Sequence, residues 1–163
     1  DGGDLFVWGA IDRVDRIEPA ALAVRDLKTG RVRDFGEDPM NAGRDLQIGL
    51  YVLALEASGY GQAPVGLAAY VHPSAAQEPD RAFTGVELDR LRRRTRTWLG
   101  VARQLLSIGA FPRTPNPEDC TYCPFVPACG EGAQQRSAAK LNSLPPQHPL
   151  ESFVRFKRNA EQE

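Results

Sequence analysis

"GAIDRVDRIEPAALAVRDLKTG", residues 9–30, decides how this chain is read. Two stretches with the alternation of β-strands flank a short polar break, and each carries an aspartate on an otherwise apolar face. Over residues 5–15 the alternation sets Trp8, Ala10, Asp12 and Val14 on one side, with Val7, Gly9, Ile11, Arg13 and Asp15 on the other. "RIEPA" supplies the turn, with Pro19 as breaker. The second strand, "LAVRDLK", sets Leu22, Val24, Asp26 and Lys28 on one face. A turn centred near Pro19 puts Asp12 opposite Asp26, and a two-residue slip would part them.

Carboxylates standing opposite one another repel, and burial makes charging either of them harder. A hard divalent cation resolves the conflict: Mg²⁺ or Mn²⁺ takes carboxylate oxygens and keeps several waters, one of which can act as nucleophile. Lys28, on the face of Asp26, reaches that water or the negative charge developing on a phosphorus centre. Two acids and a lysine on adjacent strand ends therefore point to phosphodiester cleavage. The competing reading is a surface hairpin laced by ion pairs such as Asp26 with Lys28 or Arg13.

Beyond the hairpin, residues 31–35 read as a further short strand. After Pro39, "NAGRDLQIGLYVLALEASGYG" reads as an amphipathic helix ending at Gly59, with Leu46, Leu50, Leu53 and Leu55 as its stripe and Ile48 and Val52 on the flank. "VGLAAYV" (residues 65–71) is a buried strand closed by His72 and Pro73. Residues 86–108 form a long helix with Leu88, Leu91, Leu99, Ala102, Leu105 and Leu106 inward and the arginines outward. Pro112, Pro115, Pro117, Pro124 and Pro127 forbid regular structure around the cysteines. A helix follows to about Leu141, then a proline-rich break and a weakly defined end. The order β-β-(β)-α-β-α predicts a mixed α/β domain.

At 163 residues the chain has the size of one domain, and 42% hydrophobic with 25% charged residues is ordinary for a soluble globular protein. No apolar run approaches membrane-spanning length and no leader precedes Leu5, so a cytoplasmic setting without membrane contact is expected. A net charge of −1 leaves nucleic-acid binding to local patches: Arg90, Arg92, Arg93, Arg94 and Arg96, or Arg136, Lys140, Arg155, Lys157 and Arg158 in the tail.

Gln47 and Tyr51, four apart, share one helix face, where an amide and a phenol can hold a phosphate or base. Taken in order, "GAIDRVD", "VRDLKTG" and "LQIGLY" resemble the RecB-type branch of the PD-(D/E)xK nuclease superfamily, including AddB-like and CRISPR-associated exonucleases. The resemblance covers residues 5–130 and implies a restriction-endonuclease-like mixed sheet flanked by helices. It implies a Mg²⁺- or Mn²⁺-dependent deoxyribonuclease, of exonuclease type, serving DNA repair or recombination. By position it makes Asp12, Asp26, Lys28, Gln47 and Tyr51 the active centre. The metal ligands are then Asp12, Asp26 and the main-chain carbonyl of Leu27.

All three cysteines lie in one short segment, Cys120-x2-Cys123-x5-Cys129, a poor disulfide framework but a good metal grip. Closed zinc sites and [4Fe–4S] clusters both take four ligands, and only His72 and His148 are available to complete a zinc site. The resemblance implies a [4Fe–4S] cluster whose fourth cysteine lies far upstream, and no cysteine precedes Cys120. The expected organisation is a nuclease core over residues 1–110, a Cys-rich metal or Fe–S loop over 111–132 and a tail over 133–163 of what is read as the C-terminal part of a longer protein. DNA is the expected partner, with a helicase subunit or domain beside it. Two rivals are a catalytically silent DNA-binding or scaffold subunit of a helicase–nuclease complex, and a zinc-ribbon-like interaction module on an inert domain.

Overall fold

The computed structural model describes residues 5–17, 20–29, 38, 40–73 and 81–158. β1 (Arg13–Ile17) and β2 (Ala21–Leu27) form the antiparallel hairpin, paired Arg13 with Arg25 through Ile17 with Ala21. One more step of that register sets Asp12 beside Asp26, as a turn near Pro19 requires.

β1 is shorter than its alternation predicts. Residues 5–12 are not strand, and Phe6 and Trp8 are almost fully exposed. The cause lies at the hairpin's open end: the Leu27 N–H, which would extend the ladder, is donated to Asp12 Oδ2 at 2.9 Å. A side chain has taken a strand partner's place.

β2 crosses through α1 (Gln47–Ser58) to β3 (Val65–Val71), its parallel neighbour, and β4 (Arg81–Thr84) closes the sheet antiparallel to β3. The sheet order β1-β2-β3-β4 is a mixed α/β arrangement, in keeping with a restriction-endonuclease-like core. α1 rests on β2 and β3, while α2 (Gly85–Ser107) rests on β3 and β4 and touches α1. β4 was not anticipated, and the strand expected over residues 31–35 lies outside the described residues.

The core gathers Leu22 and Val24 of β2, Ala68 and Tyr70 of β3, Ile48, Val52 and Leu55 of α1, and Leu88 and Leu91 of α2. α1 is thus turned from its expected stripe: Ile48 and Val52 are fully inside and Tyr51 is buried with its edge at a cleft, along which Leu50 and Leu53 are half-buried. An apolar helix with two apolar surroundings has no single stripe to read. On α2, Leu106 is exposed and Arg94 is buried, both against expectation. The Arg94 guanidinium lies 4.8 Å from the Phe156 ring and 3.8 Å from Asp38, where stacking and a carboxylate offset its desolvation.

α1 and α2 approach closely at Gly49, where a Cβ would collide with Thr95 Oγ1 and lie 3.3 Å from Leu91 Cδ1. Thr95 is itself held, donating to the Leu91 carbonyl at 2.7 Å. Gly49→Ala is therefore expected to destabilise the fold by about 2 kcal/mol through overpacking, read as a lowered midpoint in urea unfolding.

The prolines do not exclude helix from the cysteine segment. A 3-10 turn covers Pro117–Cys120 and a single turn, α3, covers Val126–Cys129, each with proline in its first turn, where a missing N–H goes unneeded. α4 (Ala133–Asn142) is the expected tail helix. α5 (Glu151–Arg158) replaces the weakly defined end and buries Phe156 in the core. Among the described residues no helix is long and apolar enough to cross a membrane.

Candidate active site

Asp26 and Lys28 emerge at the end of β2 on the face that packs the core, so Asp26 is 1% exposed. Its Oδ2 lies 2.7 Å from Lys28 Nζ. The same ammonium donates to Gln47 Oε1 at 2.9 Å, and Gln47 Nε2 donates to Tyr51 Oη at 2.7 Å. The start of α1 thereby delivers Gln47 and Tyr51 to the strand end, one turn apart. Asp12, one residue before β1 and exposed rather than on a buried strand face, is held by the Leu27 N–H and adjoins Asp26. All five residues singled out from sequence meet in one network.

The network opens into a cleft of about 1040 Å³. Asp12, Lys28, Gln47 and Tyr51 border it, with an apolar wall that includes Trp8, Leu50, Leu53 and Leu99. Two further lining residues were missed in the sequence. Tyr70 pairs with Asp26 across β2 and β3 and carries Lys28 Nζ 5.5 Å from its ring centroid. Arg44 lies just before α1. Tyr70 was legible only as the one hydroxyl-bearing residue at the end of "VGLAAYV"; Arg44 had no signal.

Burial raises the Asp26 carboxyl above the ordinary aspartate range; Lys28 opposes the rise and Asp12 adds to it. Tyr51 is also raised, first by burial, so its phenol stays protonated and can donate.

The donor set fits a divalent cation. Asp26 Oδ2 is buried and, among the described residues, makes no hydrogen bond of regular geometry despite the ammonium nearby. It is an oxygen with lone-pair capacity to spare beside a second carboxylate. No three His, Cys, Asp or Glu side chains among the described residues form a metal-holding group. Mg²⁺, however, is commonly held by one or two carboxylates together with waters and substrate phosphates, so two acids suffice.

The cysteines are a different case. Cys120, Cys123 and Cys129 border one cleft of about 660 Å³, and neither His72 nor His148 lines it. His72 is buried at the end of β3, and His148 Nδ1 accepts from the Leu150 N–H. The histidine completion that a zinc site would need is therefore not formed. Three thiols that do not converge also do not fit a four-ligand cluster.

What anchors this loop is Asp119. Its carboxylate lies 3.1 Å from Lys157 Nζ of α5 and 3.9 Å from Arg44 Nε at the active cleft, and it accepts from Thr114 Oγ1. Asp119→Ala is expected to cost about 2 kcal/mol by removing a half-buried carboxylate from two cations. Hydrogen exchange should then quicken first over residues 114–130.

No curated protein and no solved structure matches the chain. A sequence profile described as the PD-(D/E)XK nuclease superfamily does, over residues 1–130, which include the hairpin, the Gln47–Tyr51 turn and the cysteine segment. With that match spanning most of its length, the chain belongs to the PD-(D/E)XK nuclease superfamily.

Proposed function

We propose that this chain is a Mg²⁺- or Mn²⁺-dependent deoxyribonuclease of the RecB/AddB-like kind, an exonuclease in DNA repair or recombination working beside a helicase subunit or domain. The observation that carries the cleavage reading is the unbroken contact chain from Asp26 through Lys28 and Gln47 to Tyr51 beside Asp12 in one cleft. A surface hairpin stabilised by ion pairs would have no reason to bury Asp26.

In this reading Asp12, Asp26 and the Leu27 carbonyl hold the cation. When bound, the cation supplies Lewis-acid charge at the phosphate and activates water. Lys28 neutralises Asp26 and brings a positive charge to where the phosphorus centre becomes more anionic. Gln47 fixes the ammonium by accepting from it, which restricts a side chain that would otherwise sample many rotamers. Tyr51, kept neutral, serves as a hydrogen-bond donor to phosphate or base, and Arg44 faces the same cleft as a second cation.

The test is chelation. Labelled linear DNA should be cut in Mg²⁺ or Mn²⁺, left intact in EDTA, and cut again when the ion is restored. Cleavage that survives EDTA would overturn the reading. Product lengths, mononucleotides against internal fragments, distinguish exonuclease from endonuclease.

The narrower proposal of a [4Fe–4S] staple on Cys120, Cys123 and Cys129 rests on their spacing in the sequence alone, because the thiols do not converge on one centre among the described residues. Metal and sulfide analysis of anaerobically purified protein tests it. Iron with matching sulfide supports the cluster, while zinc without iron or no metal at all contradicts it.

A further inference from the structure

The cleavage site leaves unexplained the charge on α2. From Arg90 to Arg103 the chain carries six arginines and no acidic residue, in a molecule of net charge −1. The fold divides these arginines. Arg94 is buried against Phe156, and Arg92 is paired with Glu56 and Asp89 while donating to the Val65 carbonyl. Arg90 is half-buried. Arg93, Arg96 and Arg103 are exposed, and their guanidinium groups form no ion pair or hydrogen bond among the described residues.

At 100° per residue these three fall within an arc of about 80° and span about 15 Å along the helix. Gly100 lies within that arc, and a Cβ there would meet nothing within 4 Å. The stripe is thus unobstructed, with bare backbone at its middle. It is also joined to the active cleft. Leu99 forms part of the cleft wall, three residues after Arg96 and four before Arg103. On a helix those are its surface neighbours.

A ridge of like charges repels itself, and a polyanion turns that repulsion into attraction. Guanidinium groups suit phosphate oxygens in particular, because their fork matches two oxygens at once. We propose that Arg93, Arg96 and Arg103 bind the phosphate backbone of the DNA strand on its way to the cleft, outside the bond that is cut. This rests on the nuclease reading and extends it: affinity for a long strand is supplied on α2, apart from the residues of the cleavage site.

The test compares the wild type with the triple variant R93Q/R96Q/R103Q, after circular dichroism melts establish equal folding. Fluorescence anisotropy in metal-free buffer measures binding of a labelled single strand of about 30 nucleotides at several salt concentrations. The triple variant is expected to bind at least about tenfold more weakly at low salt, with the slope of log K against log salt reduced by about 2, as three lost phosphate contacts require. Cleavage of a dinucleotide, which has a single phosphodiester, should be unchanged, while KM for the long strand rises.

Equal affinity and slope in the two proteins would overturn the proposal and leave the nuclease reading standing. A fall in slope only in K140Q/R155Q would overturn it in favour of the C-terminal face. Failure of the wild type to bind or cut any DNA would overturn both. Capture of an acidic protein segment by the stripe, with DNA affinity unaffected by the triple variant, would reassign it as a protein-docking surface.

Discussion

Asp26→Asn is expected to abolish cation-dependent cleavage, lowering turnover by about 10³-fold or more, while raising the melting temperature of the metal-free chain. The first effect follows from removing one of the two carboxylates proposed to hold the cation. The second follows from burial. Asp26 is 1% exposed, and its carboxyl is raised by burial and by Asp12 more than Lys28 lowers it. Its folded-state pKa therefore lies above its unfolded value, so its contribution to stability is fully present at low pH and is lost as pH rises through the raised folded value. At neutral pH the charged form burdens the fold. Asparagine retains the shape without the charge, so a gain of about 1 kcal/mol, or roughly 3 °C, is expected. Melts of both proteins over a pH series should show the wild type losing stability with rising pH through this window and the variant not. If Asp26→Asn instead lowers the melting point at neutral pH, Asp26 is a structural partner of Lys28 and the site reading fails.

The second large effect is expected from Lys28→Met, which keeps the apolar stem and removes the ammonium. Turnover should fall by about 10²- to 10³-fold with little change in KM, because the lost charge acts where the phosphorus centre becomes more anionic. Lys28 also lies 2.7 Å from Asp26 Oδ2, where it competes with any cation for that oxygen. Mn²⁺ should therefore bind the variant at least as tightly as it binds the wild type. This separates a charge stabiliser from a residue that merely holds the site together. Parallel loss of turnover and of Mn²⁺ binding would contradict the assignment.

The part of the fold legible in the sequence was the part with a short, strict period. The hairpin, its register and the strand "VGLAAYV" follow from alternation and one proline, and β3 runs from Val65 to Val71 as its composition indicates. The candidate site was legible in part for the same reason: Asp26 is a conspicuous charge on a buried strand face and Gln47 and Tyr51 stand one turn apart, whereas Asp12 precedes β1 and is exposed. What was lost were features decided by tertiary partners. Residues 5–12 alternate like a strand, but the Asp12 carboxylate takes the N–H the strand would need. Arg94 looks like its exposed neighbours until Phe156 arrives from a helix more than fifty residues away. β4 has four residues, two of them polar, and gains its identity only by pairing with β3. α1 faces the core on one side and the cleft on the other, so its leucines divide, Leu55 to the core and Leu50 and Leu53 to the cleft.

If Asp12 and Asp26 tolerate one another because a divalent cation joins them, titration with Mn²⁺ should show it without substrate. Electron paramagnetic resonance of the wild type, Asp12→Asn and Asp26→Asn, with calorimetry alongside, would count bound ions directly. Mn²⁺ is expected to bind the wild type and to be lost on either substitution while the fold is kept. Equal Mn²⁺ binding by all three proteins, or none by the wild type, would contradict it.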